Sequence, residues 1–132
     1  GVKGDLLYQD NTQNIAFIEI KTPEDSLIIG GQYRGTGLVI GVNSIYSINT
    51  KLTGAVNQVL NQRKEYLKLH QEKNGRLLNN SKCVVIIGIT PKENDKIKSF
   101  DLYRNSLRDV EIITYNELFQ RIYNILEIFE SK

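Results

Sequence analysis

The sequence predicts an α/β fold with a mixed central sheet flanked by helices, and two observations carry that prediction. The chain opens on two short β-type runs, "DLLY" and "IAFIEIK", close enough together to form an antiparallel hairpin. Its second half then alternates apolar strands with amphipathic helices, the order that produces parallel pairing. With 132 residues, 40% of them hydrophobic, the chain suits one domain over 1–132. A domain near that size hides roughly two thirds of its unfolded surface and needs neither disulfide nor metal to fold.

The two opening runs are joined by "QDNTQN", whose Asp, Asn and Thr side chains favour turn geometry. Thr22 and Pro23 stop the second run. The following stretch, "EDSLIIGGQYRGTGLVIGVNSIYSINT", has apolar patches broken by glycines and is expected to be irregular, with one further strand. From Leu52 the apolar residues Ala55, Val56, Val59, Leu60 and Leu67 recur at helical steps. Asn49 or Thr50 caps that helix and "EKNG" stops it near Gly75, giving about 22 residues at 1.5 Å each.

"KCVVIIGIT" is apolar without alternation, as expected of a strand covered on both faces, and Pro91 ends it. "KIKSFDLYRNSLRD" reads as a helix and "VEIITY" as a strand. "NELFQRIYNILEIFESK" reads as a closing amphipathic helix with Asn116 as its cap.

Seventeen basic against fifteen acidic side chains leave a net charge of +2, so composition alone does not announce a nucleic-acid binder. The single Cys83 lies in an apolar run and is expected to be a small buried hydrophobe. No apolar run approaches the roughly 18 residues of a membrane span, and the N-terminus has no signal-peptide core. A soluble cytoplasmic protein is expected. Strand-like sequence begins almost at Gly1, which suggests a fragment of a longer protein.

The polar residues inside the second β-run single out a site. Strand alternation puts Ile15, Phe17, Glu19 and Lys21 on one face and Ala16, Ile18 and Ile20 on the other. Glu19 and Lys21 are then neighbours about 7 Å apart, and the hairpin brings Asp5 to the same end. Hard cations such as Mg²⁺ or Mn²⁺ select oxygen donors, here Asp5, Glu19 and Ile20, the last through its backbone carbonyl. Phosphodiester hydrolysis uses such a cation to neutralise phosphate charge and activate water, and a lysine beside it stabilises the charge that develops on phosphorus. A solvated Glu-x-Lys pair on an exposed strand is the plain alternative.

"GDLLY…FIEIKTP" resembles the D…ExK core of the PD-(D/E)XK nuclease superfamily, the restriction-endonuclease-like fold. "LTGAVNQVLNQRKEYL", "CVVIIGIT" and "VEIITYNELFQRIYNIL" resemble the nuclease domain of the Shedu anti-phage defence proteins. The resemblance implies a metal-dependent DNA endonuclease with Asp5 and Glu19 as metal ligands, Lys21 as catalytic lysine and Gln58 as the helix residue that positions lysine or water. Gln62 stands where the family often has a tyrosine, and no acid-bearing helix precedes the first strand. Those departures motivate a second reading, an inactive nuclease-fold module for binding or assembly.

Candidate nucleic-acid contacts are Tyr33 and Arg34 in the glycine-rich "GGQYRGTG", with Lys51 and Arg63 on the long helix. "GGQYRGTG" lacks the ending of a P-loop, and His70 has no companion for a metal site or a catalytic triad. Lys64 and Lys68 read as a solvated helix face. The apolar, glycine-rich "LIIGGQYRGTGLVIG" is a candidate interface, and association into a homo-oligomer is expected through this domain or a missing one.

Overall fold

Two β-type runs at the start of the chain form the expected hairpin. The structure, a computed structural model, describes residues 5–9, 14–34, 45–70 and 75–131. Strands β1 (Asp5–Gln9) and β2 (Ile15–Ile20) pair antiparallel in a register that sets Asp5 opposite Glu19 and Gln9 opposite Ile15. Beyond them come β3 (Ile28–Arg34) and β4 (Ile45–Ile48), then helix α1 (Thr50–Leu69) and the single turn α2 (Arg76–Asn79). The chain continues through β5 (Ser81–Ile86), α3 (Asn94–Ser106), β6 (Val110–Ile113) and α4 (Tyr115–Glu130).

The central sheet has the order β1-β2-β5-β6, with the first pair antiparallel and the other two parallel, so it is mixed as the sequence implies. Residues Ile15, Phe17 and Glu19 of β2 are buried, alternating with half-buried Ala16, Ile18 and Ile20. Helix α1 packs across β2 and β5, laying buried Leu52, Ala55, Val56 and Val59 on that face beside Cys83 and Val85. Fully burying one such aliphatic side chain contributes about 1.5–3 kcal/mol, so this sandwich dominates the stability of the fold. Val84 and Ile86 on the other face of β5 are only half-buried, a lighter cover than the unbroken apolar run implied.

Several local expectations change. The region after Pro23 holds two strands rather than one: β3 and β4 form their own two-stranded sheet, against which α3 packs. Glycines 30 and 31 hide β3 from pattern reading, and its pairing is irregular between Ile28 and Gln32 and again before Arg34. Asn49 does cap α1, accepting from the Lys51 N–H at 2.9 Å, but the helix ends at Leu69, before the expected stop. Gly75, at φ 72°, instead precedes α2.

Thr114, not Asn116, caps α4. Its hydroxyl accepts from the Glu117 N–H, and the Glu117 carboxylate accepts from the Thr114 N–H at 3.0 Å, a reciprocal capping box. Asn116 lies two residues too late and accepts from the Thr90 N–H at 2.9 Å instead.

Candidate active site

The acidic residue of β2 lies in the core. Glu19 shares the buried face with Ile15 and Phe17 and has 0% exposure, so its charge must be met inside the protein. Lys21, one residue past the end of β2, supplies the countercharge: its Nζ lies 3.0 Å from Glu19 Oε1, with the lysine side chain 26% exposed. The strand course that aims Lys21 inward is fixed by its backbone. Its N–H donates to the Ile86 carbonyl at 2.8 Å, and its own carbonyl accepts from the Tyr115 hydroxyl.

Helix α1 completes the group from across the face. Gln58 and Gln62 stand four residues apart, on the flank that also carries Lys51, and so project one turn above another. Gln58 Oε1 accepts from Lys21 Nζ at 3.4 Å, and Gln62 Nε2 donates to Glu19 Oε2 at 3.5 Å, both long contacts. The glutamines thus divide the ion pair between them, the first facing the cation and the second the anion. From the sequence, Gln62 is expected on the same helix flank as Gln58 and Lys51, in the place where the family often has a tyrosine, with no role at the ion pair. The four-residue spacing from Gln58 was the available signal.

A second missed residue is Asp25. The turn after β2 closes with the Thr22 N–H on Asp25 Oδ2 at 2.8 Å, while Lys51 Nζ reaches Asp25 Oδ1 at 3.2 Å. The Thr22 N–H, and after it Lys51, hold this carboxyl below its usual range against the opposing pull of burial. Lys21, Asp25, Lys51, Gly54 and Gln58 line a cleft of about 330 Å³. It opens at the carboxyl ends of the parallel strands, where open α/β sheets place their ligands. A larger cavity of about 650 Å³, lined by Arg63, Lys82, Arg108 and Glu111, sits at the opposite strand ends, away from Glu19.

A family model described as "Shedu protein SduA, C-terminal" matches residues 1–119. The chain belongs to this Shedu family. It is 34% identical over 143 residues to Shedu protein SduA of Bacillus cereus (strain B4264), a match that covers 96% of the chain and 35% of that protein. The chain therefore spans about a third of the length of this Shedu relative.

In this Shedu chain the remaining candidates are spread out. Asp5 is opposite Glu19 by register, and its side chain lies outside the described residues. Ile20 is the last residue of β2, so the three proposed donors gather at one strand end. Carboxylates and a carbonyl are the hard oxygen donors that Mg²⁺ selects, and by donor chemistry the set fits such a cation. Among the described residues no three His, Cys, Asp or Glu side chains cluster for a metal.

Lys51 borders the cleft, whereas Arg63, twelve residues and roughly 18 Å further along α1, lies 3.5 Å from Asp109 at the far cavity. Tyr33 and Arg34 belong to β3 by backbone, and their side chains lie outside the described residues, as do residues 35–41 of the candidate interface. His70 is exposed and packs edge-on against Tyr66 at 4.0 Å. Cys83 is buried, and burial pushes its thiol up. Among the described residues no helix is long and apolar enough to cross a membrane.

Proposed function

We propose that the chain is a metal-dependent DNA endonuclease domain of restriction-endonuclease-like fold, acting in bacterial anti-phage defence. The observation that carries this reading is the fully buried Glu19 held 3.0 Å from Lys21, with Gln58 on the same ammonium. A buried ion pair is weak evidence for stability alone, since well-packed apolar residues serve a core at least as well. Membership of the Shedu family supports the defence role.

An ammonium has three N–H donors. With Glu19 and Gln58 each engaging Lys21, one donor direction remains for a water or for a non-bridging phosphate oxygen. Gln58, as acceptor, fixes the rotation of the ammonium, and Glu19 supplies its countercharge. Asp5, Glu19 and the Ile20 carbonyl would hold Mg²⁺ or Mn²⁺, which when bound supplies neutralisation of phosphate charge. Lys51 adds positive charge along the cleft for the backbone of a nucleic acid.

The test is plasmid nicking with and without each cation. Glu19→Ala and Lys21→Ala are each expected to lower cleavage by roughly 100-fold or more while the variants remain folded by circular dichroism. Cleavage at the wild-type rate in either variant rejects the assignment. Absence of cation binding in calorimetry, together with DNA or protein association, assigns the chain to the inactive binding module instead.

A further inference from the structure

Lys21 stands one residue beyond the end of β2, and the last rung of the ladder is its own N–H on the Ile86 carbonyl at 2.8 Å. Past that rung the sheet no longer holds the chain, and other segments take over. The Thr22 N–H donates to Asp25 Oδ2 at 2.8 Å, and the Thr22 carbonyl accepts from the Gly88 N–H at 3.0 Å. The remaining tie falls on the carbonyl of Lys21 itself. Its donor is the hydroxyl of Tyr115, 94 residues further along the chain.

The phenol is braced where it stands. Tyr115 opens α4 directly after the Thr114 cap, and its N–H donates to the Gly88 carbonyl at 2.9 Å, so Gly88 joins the backbone of Tyr115 to that of Thr22. The half-buried ring lies 6.3 Å from that of Phe119. Burial, and after it the carboxylates of Asp25 and Glu24, push the hydroxyl up, which keeps it a donor at neutral pH. The consequence is geometric. Each peptide unit is planar, so pinning the unit before Lys21 through Ile86 and the unit after it through Tyr115 fixes both backbone torsions of Lys21. Those torsions set the direction in which its side chain leaves for Glu19 at 3.0 Å and Gln58 at 3.4 Å.

We propose that Tyr115 is a positioning residue for Lys21: its hydroxyl, acting through the Lys21 carbonyl, aims the ammonium at Glu19, at Gln58 and at the phosphate oxygen to be cleaved. The expected effect on rate rests on the nuclease reading, and the aim of the ammonium does not. Tyr115→Phe removes the hydroxyl and keeps the ring, and it should remain folded by circular dichroism. In steady-state DNA cleavage with Mg²⁺ or Mn²⁺ its kcat should fall about 10-fold with KM within about twofold of the wild type, because misaiming a group costs turnover and spares binding. Asn116→Ala, which cuts the neighbouring tether to Thr90 and leaves the phenol in place, should keep the wild-type kcat.

A second measurement needs neither DNA nor cation. The order parameter of the Lys21 ammonium, from ¹⁵N relaxation, should drop in Tyr115→Phe and hold its wild-type value in Asn116→Ala. Wild-type kcat in Tyr115→Phe overturns the proposal, and so does an equal loss in Asn116→Ala, which would trace the effect to the firmness of the helix start. A wild type that cleaves no DNA with either cation sinks the nuclease reading, and the relaxation measurement then decides the positioning role by itself. An ammonium as ordered in Tyr115→Phe as in the wild type overturns that role, and a less ordered one upholds it.

Discussion

Helices α1 and α4 make opposite use of amphipathic sequence. Helix α1 carries polar residues on its flank and four buried residues beneath, Leu52, Ala55, Val56 and Val59, yet its sequence is the more polar of the two. Helix α4 has the cleaner apolar stripe and buries nothing. The difference teaches that periodicity reports a need for a partner and is silent on which partner meets it. In α1 the partner is the β2–β5 face, and the polar flank left over is the part that reaches Lys21 and Glu19.

The largest effect that could break this contrast comes from matched truncations. Leu52→Ala, at a side chain with 0% exposure, is expected to cost about 2–5 kcal/mol in urea unfolding. Leu126→Ala, 53% exposed, should change the stability by no more than about 0.5 kcal/mol. Equal losses at the two positions would mean that α4 is packed into the same core as α1.

Next in size is the junction beneath the cleft. Gly88 follows β5 at φ 65°, donates to the Thr22 carbonyl at 3.0 Å and accepts from the Tyr115 N–H at 2.9 Å. A Cβ there would lie 2.7 Å from the Asp25 carbonyl oxygen, a backbone atom that cannot step aside cheaply. Gly88→Ala should therefore cost about 2–4 kcal/mol, from the left-handed backbone and the clash together, and should weaken the Asp25–Lys51 brace. Because this glycine ties the turn after β2 to the start of α4, a loss confined to either side would show that the two regions are mechanically separate.

The first turn of α4 answers to acid. Burial raises the Glu117 carboxyl, but the Arg104 fork and the Thr114 N–H and hydroxyl more than offset it, leaving it lowered from 4.5 to about 2. A depressed folded-state value means that the contribution is complete above pH 4.5 and lost as pH falls towards 2. Allowing for partial exposure, the contribution is about 1–3 kcal/mol. Comparison of urea melts at pH 6 and pH 3 should show Glu117→Gln closing most of its deficit against the wild type at the lower pH. A deficit that stays constant with pH would take this anchor away from Glu117.

How far the sequence foretells these features depends on how local the cause is. The hairpin and its register follow from strand alternation about Glu19, and the α1 core follows from its own spacing, so both were legible. Gln58 stood out by resemblance, and the approach of its side chain to Lys21 is a product of tertiary packing. Gln62 offered only its four-residue spacing from Gln58 and Asp25 no signal of its own: each matters through a partner 43 or 26 residues away, Glu19 or Lys51. β3 and β4 escaped because glycines erase alternation, and the pairing that stabilises them is itself irregular. The exposure of the α4 stripe was illegible for a different reason, since an apolar stripe looks the same whether or not the core covers it.

The cap of α4 shows the same limit on the scale of two residues. "VEIITYNE" offers Thr114 and Asn116 as capping side chains, and composition does not choose between them. The sheet does: β6 stops at Ile113, after pairing with Ile86, so the extended residue that opens the helix is Thr114, at φ −81° and ψ 161°. Buried Thr114 also meets the Thr90 hydroxyl at 2.7 Å, while exposed Asn116 accepts from the same hydroxyl at 3.1 Å and from the Thr90 N–H, a link to the loop and not to the helix start. Thr114→Ala should thus cost about 0.5–2 kcal/mol, with Thr114→Ser restoring most of it. Asn116→Ala should cost less than Thr114→Ala, because it removes a tether to the Thr90 loop and leaves the capping box whole. A larger loss at Asn116, read from thermal melts of the three variants, would place the start of α4 two residues later and with it shift every position of the exposed stripe.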